Sequence, residues 1–186
     1  MEKVESSKKK KIIESLTTAK SKYVIGTILL GLMGITLPRI FHVLAGSGAG
    51  AMFLPMHIAV LIAALVFGAT SSSIVAIGSI IFSYLLTGMP TIERLPYMLI
   101  ELLIYAIILG ILNRKFSKYI SLIFTMIIGR IIYASILFAA ANLLGLQTYG
   151  ISVIESVKIG YTGIIVQLIC IPFIAVKIQK GLKINE

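Results

Sequence analysis

The sequence predicts an all-α integral membrane protein with six transmembrane helices packed as one bundle. Hydrophobic residues make up 58% of the 186-residue chain and charged residues 13%, and the mean hydropathy is +1.03. These values lie outside the range of soluble globular domains. A membrane-spanning helix needs roughly 20 predominantly apolar residues, so the apolar sequence after Tyr23 provides for about six spans. We expect a cytoplasmic basic tail over residues 1–21, one membrane domain over 22–178, and a cytoplasmic tail over 179–186.

Prolines, glycines and a charged turn divide the apolar sequence into helices. The first helix contains Pro38 and ends before the glycine-rich segment 45–51, and the third ends at the sequence GMP (88–90). Pro96 opens the fourth helix, because the first-turn N–H groups of a helix have no partner within it. The charged turn NRKFSK (113–118) separates the fourth helix from the fifth. The predicted helices cover residues 22–44, 56–67, 72–87, 96–112, 119–143 and 155–177.

The basic residues indicate the orientation of the bundle. With six spans both termini lie on one side of the membrane, and that side holds 13 of the 17 Lys and Arg residues. Cytoplasmic loops are enriched in Lys and Arg, so both termini are predicted to be cytoplasmic. The net charge of +10 indicates attraction to anionic lipid headgroups and not nucleic-acid binding, because the charges are divided among loops and tails. The lysine-rich N-terminal segment is either an amphipathic surface helix or a solvated tail.

Charged and polar side chains inside the predicted spans are the candidates for a binding site. Such groups are costly in a bilayer unless they are paired or face water. Glu101 and Tyr105 are four residues apart and share one face of the fourth helix, and the fifth helix carries Arg130. Glu101 and Arg130 form an interhelical ion pair, contact a ligand, or do both. Near the predicted outer surface, the candidates are Arg39, His42 and His57, with an interfacial position as the alternative for the histidines.

Several enzyme classes are excluded by the residues that the chain lacks. All seven acidic residues are glutamate, and the chain has no HExxH, GxSxG or Walker motif. The single cysteine, Cys170, provides neither a disulfide framework nor a cysteine-based metal site. We therefore expect a binding or translocation subunit without cofactor or catalytic activity. The alternatives are a small oligomeric channel and an unfamiliar intramembrane enzyme that uses Glu101 and the histidines as acid and base.

A series of short motifs resembles one family of membrane transport proteins. The motifs are PRIFH at the end of the first helix, the glycine-rich loop, FLPMHIAVLIAALVFG, LLTGMP, ELLIYAIILGILNRKF and a GR pair in the fifth helix. The family is the S component, the substrate-binding membrane subunit of energy-coupling factor (ECF) vitamin transporters, in the branch of pantothenate, vitamin B6, hydroxymethylpyrimidine and α-ribazole carriers. The similarity extends over about residues 23–177.

The resemblance implies an S-component-like bundle in a bacterial plasma membrane. Such subunits bind a vitamin or cofactor precursor near the outer surface and topple on a transmembrane scaffold that is coupled to two ATPase subunits. Small residues of the first helix dock on the scaffold in this family, and here they correspond to Gly26, Gly31 and Gly34. The implied substrate-binding residues are Phe53, Met56, His57, Thr87, Met89 and Glu101. His57 is then expected to hydrogen-bond a polar group of the vitamin.

Overall fold

The computed structural model describes residues 2–46, 54–92, 94–142 and 153–182, and all regular secondary structure in these ranges is α-helical. The predicted all-α fold class is confirmed, and most helix ends lie within three residues of the predicted ones. The helices are α1 (Glu2–Ala45), α2 (Pro55–Phe67), α3 (Ala69–Thr87), α4 (Leu95–Leu112), α5 (Lys118–Asn142) and α6 (Val153–Leu182).

Five of these helices contain segments that are long and apolar enough to cross a membrane. Their outward surfaces carry large apolar side chains, such as Leu29 on α1, Leu85 on α3 and Ile169 on α6, each at least 60% exposed. An exposed apolar surface of this extent is typical of lipid contact, so the chain is a multi-pass helical membrane protein. The segments are Lys20–Leu44, Ala69–Thr87, Leu95–Leu112, Lys118–Ile136 and Gly160–Leu182.

The helix α2 differs from the other five because it is short and enclosed. Its 13 residues extend over about 20 Å, whereas the hydrocarbon core of a bilayer is roughly 30 Å thick. Twelve of the 13 residues are buried, and α1, α3, α4 and α6 all pack against them. A helix that is apolar on every side is typically buried. The second predicted span is therefore a short central helix, and four of the five spanning-length helices among the described residues pack against it.

A one-residue turn joins α2 to α3. Gly68 adopts φ 85°, a left-handed conformation that glycine reaches without steric cost. At this turn α4 approaches closely, because a Cβ atom on Gly110 would overlap the backbone of Ala69. The third helix begins three residues earlier than predicted, because Gly68 is the one residue between α2 and α3.

Hydrogen bonds from two neighbouring helices set the axial position of α2. The Leu65 carbonyl accepts from Asn113 Nδ2 at 3.1 Å and from Gln179 Nε2 at 2.9 Å. At the opposite end, Gln167 Nε2 donates to the Leu54 carbonyl at 3.4 Å. The last carbonyls of a helix have no partner within it, so Asn113 and Gln179 supply donors to a Leu65 carbonyl that would otherwise lack one.

The helix α1 begins well before the membrane-spanning segment. Its backbone is helical from Glu2, so the predicted start at residue 22 marks where the apolar span begins and not where the helix begins. The lysine-rich segment is thus a helical extension of the first span. Pro38 lies inside α1, near its C-terminal end.

Candidate functional site

Three ionisable side chains from three different helices meet inside the bundle. Arg130 Nη1 of α5 lies 2.8 Å from Glu101 Oε1 of α4, and His57 Nε2 of α2 lies 3.7 Å from the same oxygen. His57 is 4% and Glu101 7% exposed. The guanidinium compensates the buried carboxylate, which would be costly without a partner. The separation between His57 and Glu101 exceeds an ordinary hydrogen bond.

The position of His57 depends on an unusual backbone conformation directly before α2. Leu54 adopts φ 48° and ψ 52°, which costs a residue other than glycine about 1–2 kcal/mol. Its carbonyl accepts a hydrogen bond from the His57 backbone N–H at 2.9 Å, and Pro55 provides the first residue of the helix. Strained residues of this kind occur preferentially at functional sites. Here the strain fixes the first turn of α2, from which the imidazole projects.

Two tyrosines surround the ion pair. The Tyr105 ring packs edge-on against the His57 ring with the centroids 5.4 Å apart, and Tyr133 is 3% exposed. Gly129 makes room for Tyr105, because a Cβ atom at this position would overlap the tyrosine ring. The glycine directly before Arg130 thus allows α4 and α5 to approach closely enough for Glu101 and Arg130 to pair.

A cavity of about 30 Å³ adjoins this cluster. Its polar lining consists of His57, Tyr105, Arg130 and Gln167, and the rest of the wall is apolar. Neither ring nitrogen of His57 has a hydrogen-bond partner among the residues that the structure describes. The cavity has room for small polar groups, whereas pockets that enclose a drug-sized ligand measure roughly 300–1,000 Å³.

The structure brings together four of the ten sequence-predicted substrate-binding residues, namely His57, Glu101, Tyr105 and Arg130. Met56 is buried in the first turn of α2 but does not line the cavity. Phe53 lies outside the described residues.

The remaining four predicted residues lie apart from the cluster. Arg39 and His42 are exposed near the end of α1, where a peripheral helix presents them outward. Thr87 is half-buried, and its hydroxyl donates to the Ser83 carbonyl one turn earlier in α3 at 2.7 Å. Met89 is 53% exposed. None of these four lines the cavity beside Arg130.

The three glycines of α1 that were expected to dock on a scaffold face different surroundings. A Cβ atom on Gly26 would overlap the Phe67 ring of α2, and one on Gly34 would overlap the Ser79 side chain of α3. Gly31 alone has no described atom within 4 Å of such a Cβ atom. Gly26 and Gly34 therefore serve helix packing within the chain, and only Gly31 is open to a partner.

No protein-family model, curated protein or solved structure matches this chain. The site therefore has to be interpreted from its own geometry.

The site includes three residues that were not among the predicted site residues, namely Gln167, Tyr133 and Gly129. A signal for Gln167 was available, since it is an amide in an otherwise apolar stretch of α6. Tyr133 lies one helical turn after Arg130, on the same face of α5. The cavity wall thus presents a guanidinium, an imidazole, an amide and the phenol ring of Tyr105 to one small volume. Such a set can bind a polar group of a small molecule.

Proposed function

We propose that this chain is the substrate-specificity subunit of an ECF-type importer that takes up a vitamin or related cofactor precursor. The observation that carries the proposal is the buried polar cluster of His57, Glu101 and Arg130 beside an internal cavity. Ionisable residues inside membrane bundles are expensive and typically mark substrate or ion sites. A purely structural ion pair between Glu101 and Arg130 accounts for those two residues. It does not explain why the buried ring nitrogens of His57 have no hydrogen-bond partner among the described residues.

The unpartnered imidazole favours ligand binding over a structural role. Burying a polar group without a hydrogen bond costs about 1–3 kcal/mol, so an orphaned side chain in a folded protein calls for a specific explanation. Neither ring nitrogen of His57 has a hydrogen-bond partner in the part of the chain that the structure describes, and His57 is one of the residues that line the cavity. A polar substrate group that occupies the cavity would supply the missing hydrogen bond.

The position of the cluster along the bundle supports uptake from outside the cell. His57 lies at the N-terminal end of α2, whereas Lys22 lies at the start of the first span, Arg114 follows the C-terminal end of α4 and Lys177 lies near the C-terminal end of α6. Because Lys and Arg accumulate on the cytoplasmic side, the cluster belongs to the outer half of the bundle. We propose that the subunit then topples on a transmembrane scaffold driven by two ATPase subunits, in contact with membrane lipid.

A vitamin is larger than the cavity, so binding requires the lining helices to move apart. Residues of α5 and α6 form one side of the cavity, including Met126 and Ile164. Among the principal helix pairs, α5 and α6 have the least extensive contact. We propose that the cavity widens between these two helices when substrate enters.

Native mass spectrometry of the detergent-purified protein tests this proposal. We expect one small molecule per chain, which is released on unfolding and then identified. His57→Ala should lower the occupancy, because it removes the ring that meets the polar group, whereas Arg114→Gln, an exposed change far from the site, should leave occupancy unchanged. A protein that is empty and also binds none of a panel of vitamins would contradict the proposed function.

A further inference from the structure

We infer that the substrate of this site carries a monoanionic group, such as a carboxylate, which docks on Arg130 and His57 while Glu101 holds Arg130 from behind. The inference rests on the proposed function, because it concerns the same site. It also assigns Glu101 a positioning role, in place of a direct contact with the ligand.

The composition of the cavity wall carries this inference. Arg130, His57, Tyr105 and Gln167 line the cavity, whereas Glu101 does not, although its Oε1 atom lies 2.8 Å from Arg130 Nη1. Glu101 is thus not part of the cavity wall, whereas its ion-pair partner Arg130 is. No carboxylate of the described residues lines the wall. A guanidinium is a donor only, and its several N–H groups allow it to serve Glu101 and a second acceptor together.

Of the two charged partners in the ion pair, the positive one, Arg130, lies at the cavity wall. A cationic ligand would meet the guanidinium first and would be repelled, since charges interact strongly where water is excluded. A carboxylate would instead receive charge-assisted hydrogen bonds from Arg130 and a further one from the unpartnered His57 ring. Because the one positive charge of Arg130 is already shared with Glu101, a dianion would bring more uncompensated charge into the cavity than a monoanion, which favours the monoanion.

The rest of the wall specifies what is attached to the anionic group. Leu61, Met126 and Ile164 contribute apolar surface that adjoins the polar lining. An uncharged organic body suits this surface, because a second charge there would be buried without a partner. The inferred substrate is thus a small organic acid with one charged end.

Glu101→Gln distinguishes a positioning carboxylate from one that contacts a ligand. The amide keeps an oxygen at the position of Oε1 to hold Arg130 but removes the compensating charge. If the inference holds, this variant binds an anion more tightly, by about tenfold or more. If Glu101 itself contacts a cationic or hydrogen-bond-donating ligand, the same variant binds more weakly.

We would titrate the detergent-purified protein by calorimetry with three matched probes, namely hexanoate, hexanamide and hexylamine. Binding should be strongest for hexanoate and should weaken roughly ten- to a hundredfold in a Glu101→Gln/Arg130→Gln double variant. Arg130→Gln alone would leave the Glu101 carboxylate buried without a partner, and this variant could fail to fold for that reason. The double variant removes both charges together and avoids this problem. Arg114→Gln is the control and should bind hexanoate like the unmodified protein.

Two further outcomes separate this inference from the proposed function. Preferred binding of the amide or amine, or a neutral or cationic molecule co-purifying with the protein, would overturn the anionic assignment and leave a substrate-binding subunit standing. Failure of all three probes, together with an empty protein in native mass spectrometry, would overturn both. Hexanoate binding that persists in the double variant would also contradict the assignment to Arg130.

Discussion

Individual glycines decide how closely the helices of this bundle approach. At Gly110 a side chain would meet the backbone of Ala69, whereas at Gly26 and Gly129 it would meet the aromatic rings of Phe67 and Tyr105. A ring can turn aside to some extent, but a backbone at a one-residue turn cannot. Small residues at helix contacts are typical of membrane bundles, where close backbone approach replaces the hydrophobic effect as the source of stability.

Gly110→Ala should therefore destabilise the bundle. The added methyl group forces α4 away from the turn between α2 and α3, and overpacking of this kind typically costs about 1–3 kcal/mol. Thermal unfolding in detergent should show a lower midpoint than for the unmodified protein. Gly78→Ala is the matched control, since nothing lies within 4 Å of its added Cβ atom, and its midpoint should be unchanged or slightly raised. Equal midpoints for the two variants would contradict the close approach at Ala69.

His57 is the residue of the candidate site whose substitution best separates ligand binding from stability. Both ring nitrogens of His57 lack a hydrogen-bond partner within the described ranges. The side chain should therefore contribute little to the stability of the fold and more to the affinity for the ligand. His57→Phe retains the apolar volume and the edge-on contact with Tyr105. We expect this variant to unfold at the same or a higher temperature while retaining less co-purified ligand. A large loss of thermal stability without loss of ligand would indicate a structural histidine.

At the scale of the element, α2 is the centre of the bundle although it is the shortest helix. Hydrogen bonds from α4 and α6 converge on the Leu65 carbonyl near its C-terminal end, and α6 also contacts its N-terminal end through Gln167. The strained residue Leu54 and the turn at Gly68 bound it on either side. The candidate site is built on the first turn of this fixed helix, which keeps His57 in place relative to Glu101.

The two amides that meet at Leu65 should be energetically coupled. Asn113→Leu and Gln179→Leu each leave the carbonyl with one remaining donor, so each single change should cost little. The double variant leaves the buried carbonyl without either side-chain donor and should lose about 1–3 kcal/mol beyond the sum of the singles. Thermal unfolding of the four proteins in this cycle measures the difference. Strict additivity would show that the two amides act independently of the shared carbonyl.

At the scale of the whole molecule, the short central helix raises the question of how the chain crosses the membrane. If α2 carries the chain across the membrane, as the six-span prediction requires, Lys20 and Lys115 lie on the cytoplasmic side and Met89 lies on the outer side. All three side chains are exposed, so cysteines at these positions are accessible to reagents. The exposed Cys170 is replaced by serine in this experiment to provide a background without reactive thiols.

A membrane-impermeant maleimide applied to intact cells should label Met89→Cys and should leave Lys20→Cys and Lys115→Cys unlabelled until the cells are permeabilised. This pattern follows from the basic residues at the N-terminus and after α4. Labelling of Lys20→Cys and Lys115→Cys from opposite sides would show that α2 does not carry the chain across the membrane. Labelling of Met89→Cys only after permeabilisation would invert the predicted orientation and place the candidate site in the cytoplasmic half.

The fold class and the helix positions were predictable from local sequence properties. Apolar runs bounded by prolines, glycines and charged turns report helix ends directly, because each boundary depends on a few neighbouring residues. The meeting of Glu101 and Arg130 could also be anticipated, since they are charged groups inside apolar helices and each needs a partner. Other features could not be predicted from local sequence properties. These are the inward packing of Gly26 and Gly34, the exposure of Arg39 and His42, and the position of Gln167 at the cavity wall.

The sequence by itself thus determined that this is a helical membrane protein, where its helices lie, and that Glu101 and Arg130 lie within them. Only the tertiary structure decided that α2 is enclosed, that Arg130 lines the cavity while Glu101 does not, and that two of the three α1 glycines pack inward. The physical reason is the solvent. In a lipid bilayer both the core-facing and the lipid-facing sides of a helix are apolar, so the periodicity that reveals a buried face in a soluble protein carries little information. The rotation of each helix is then set by close packing, which depends on residues far apart in the chain.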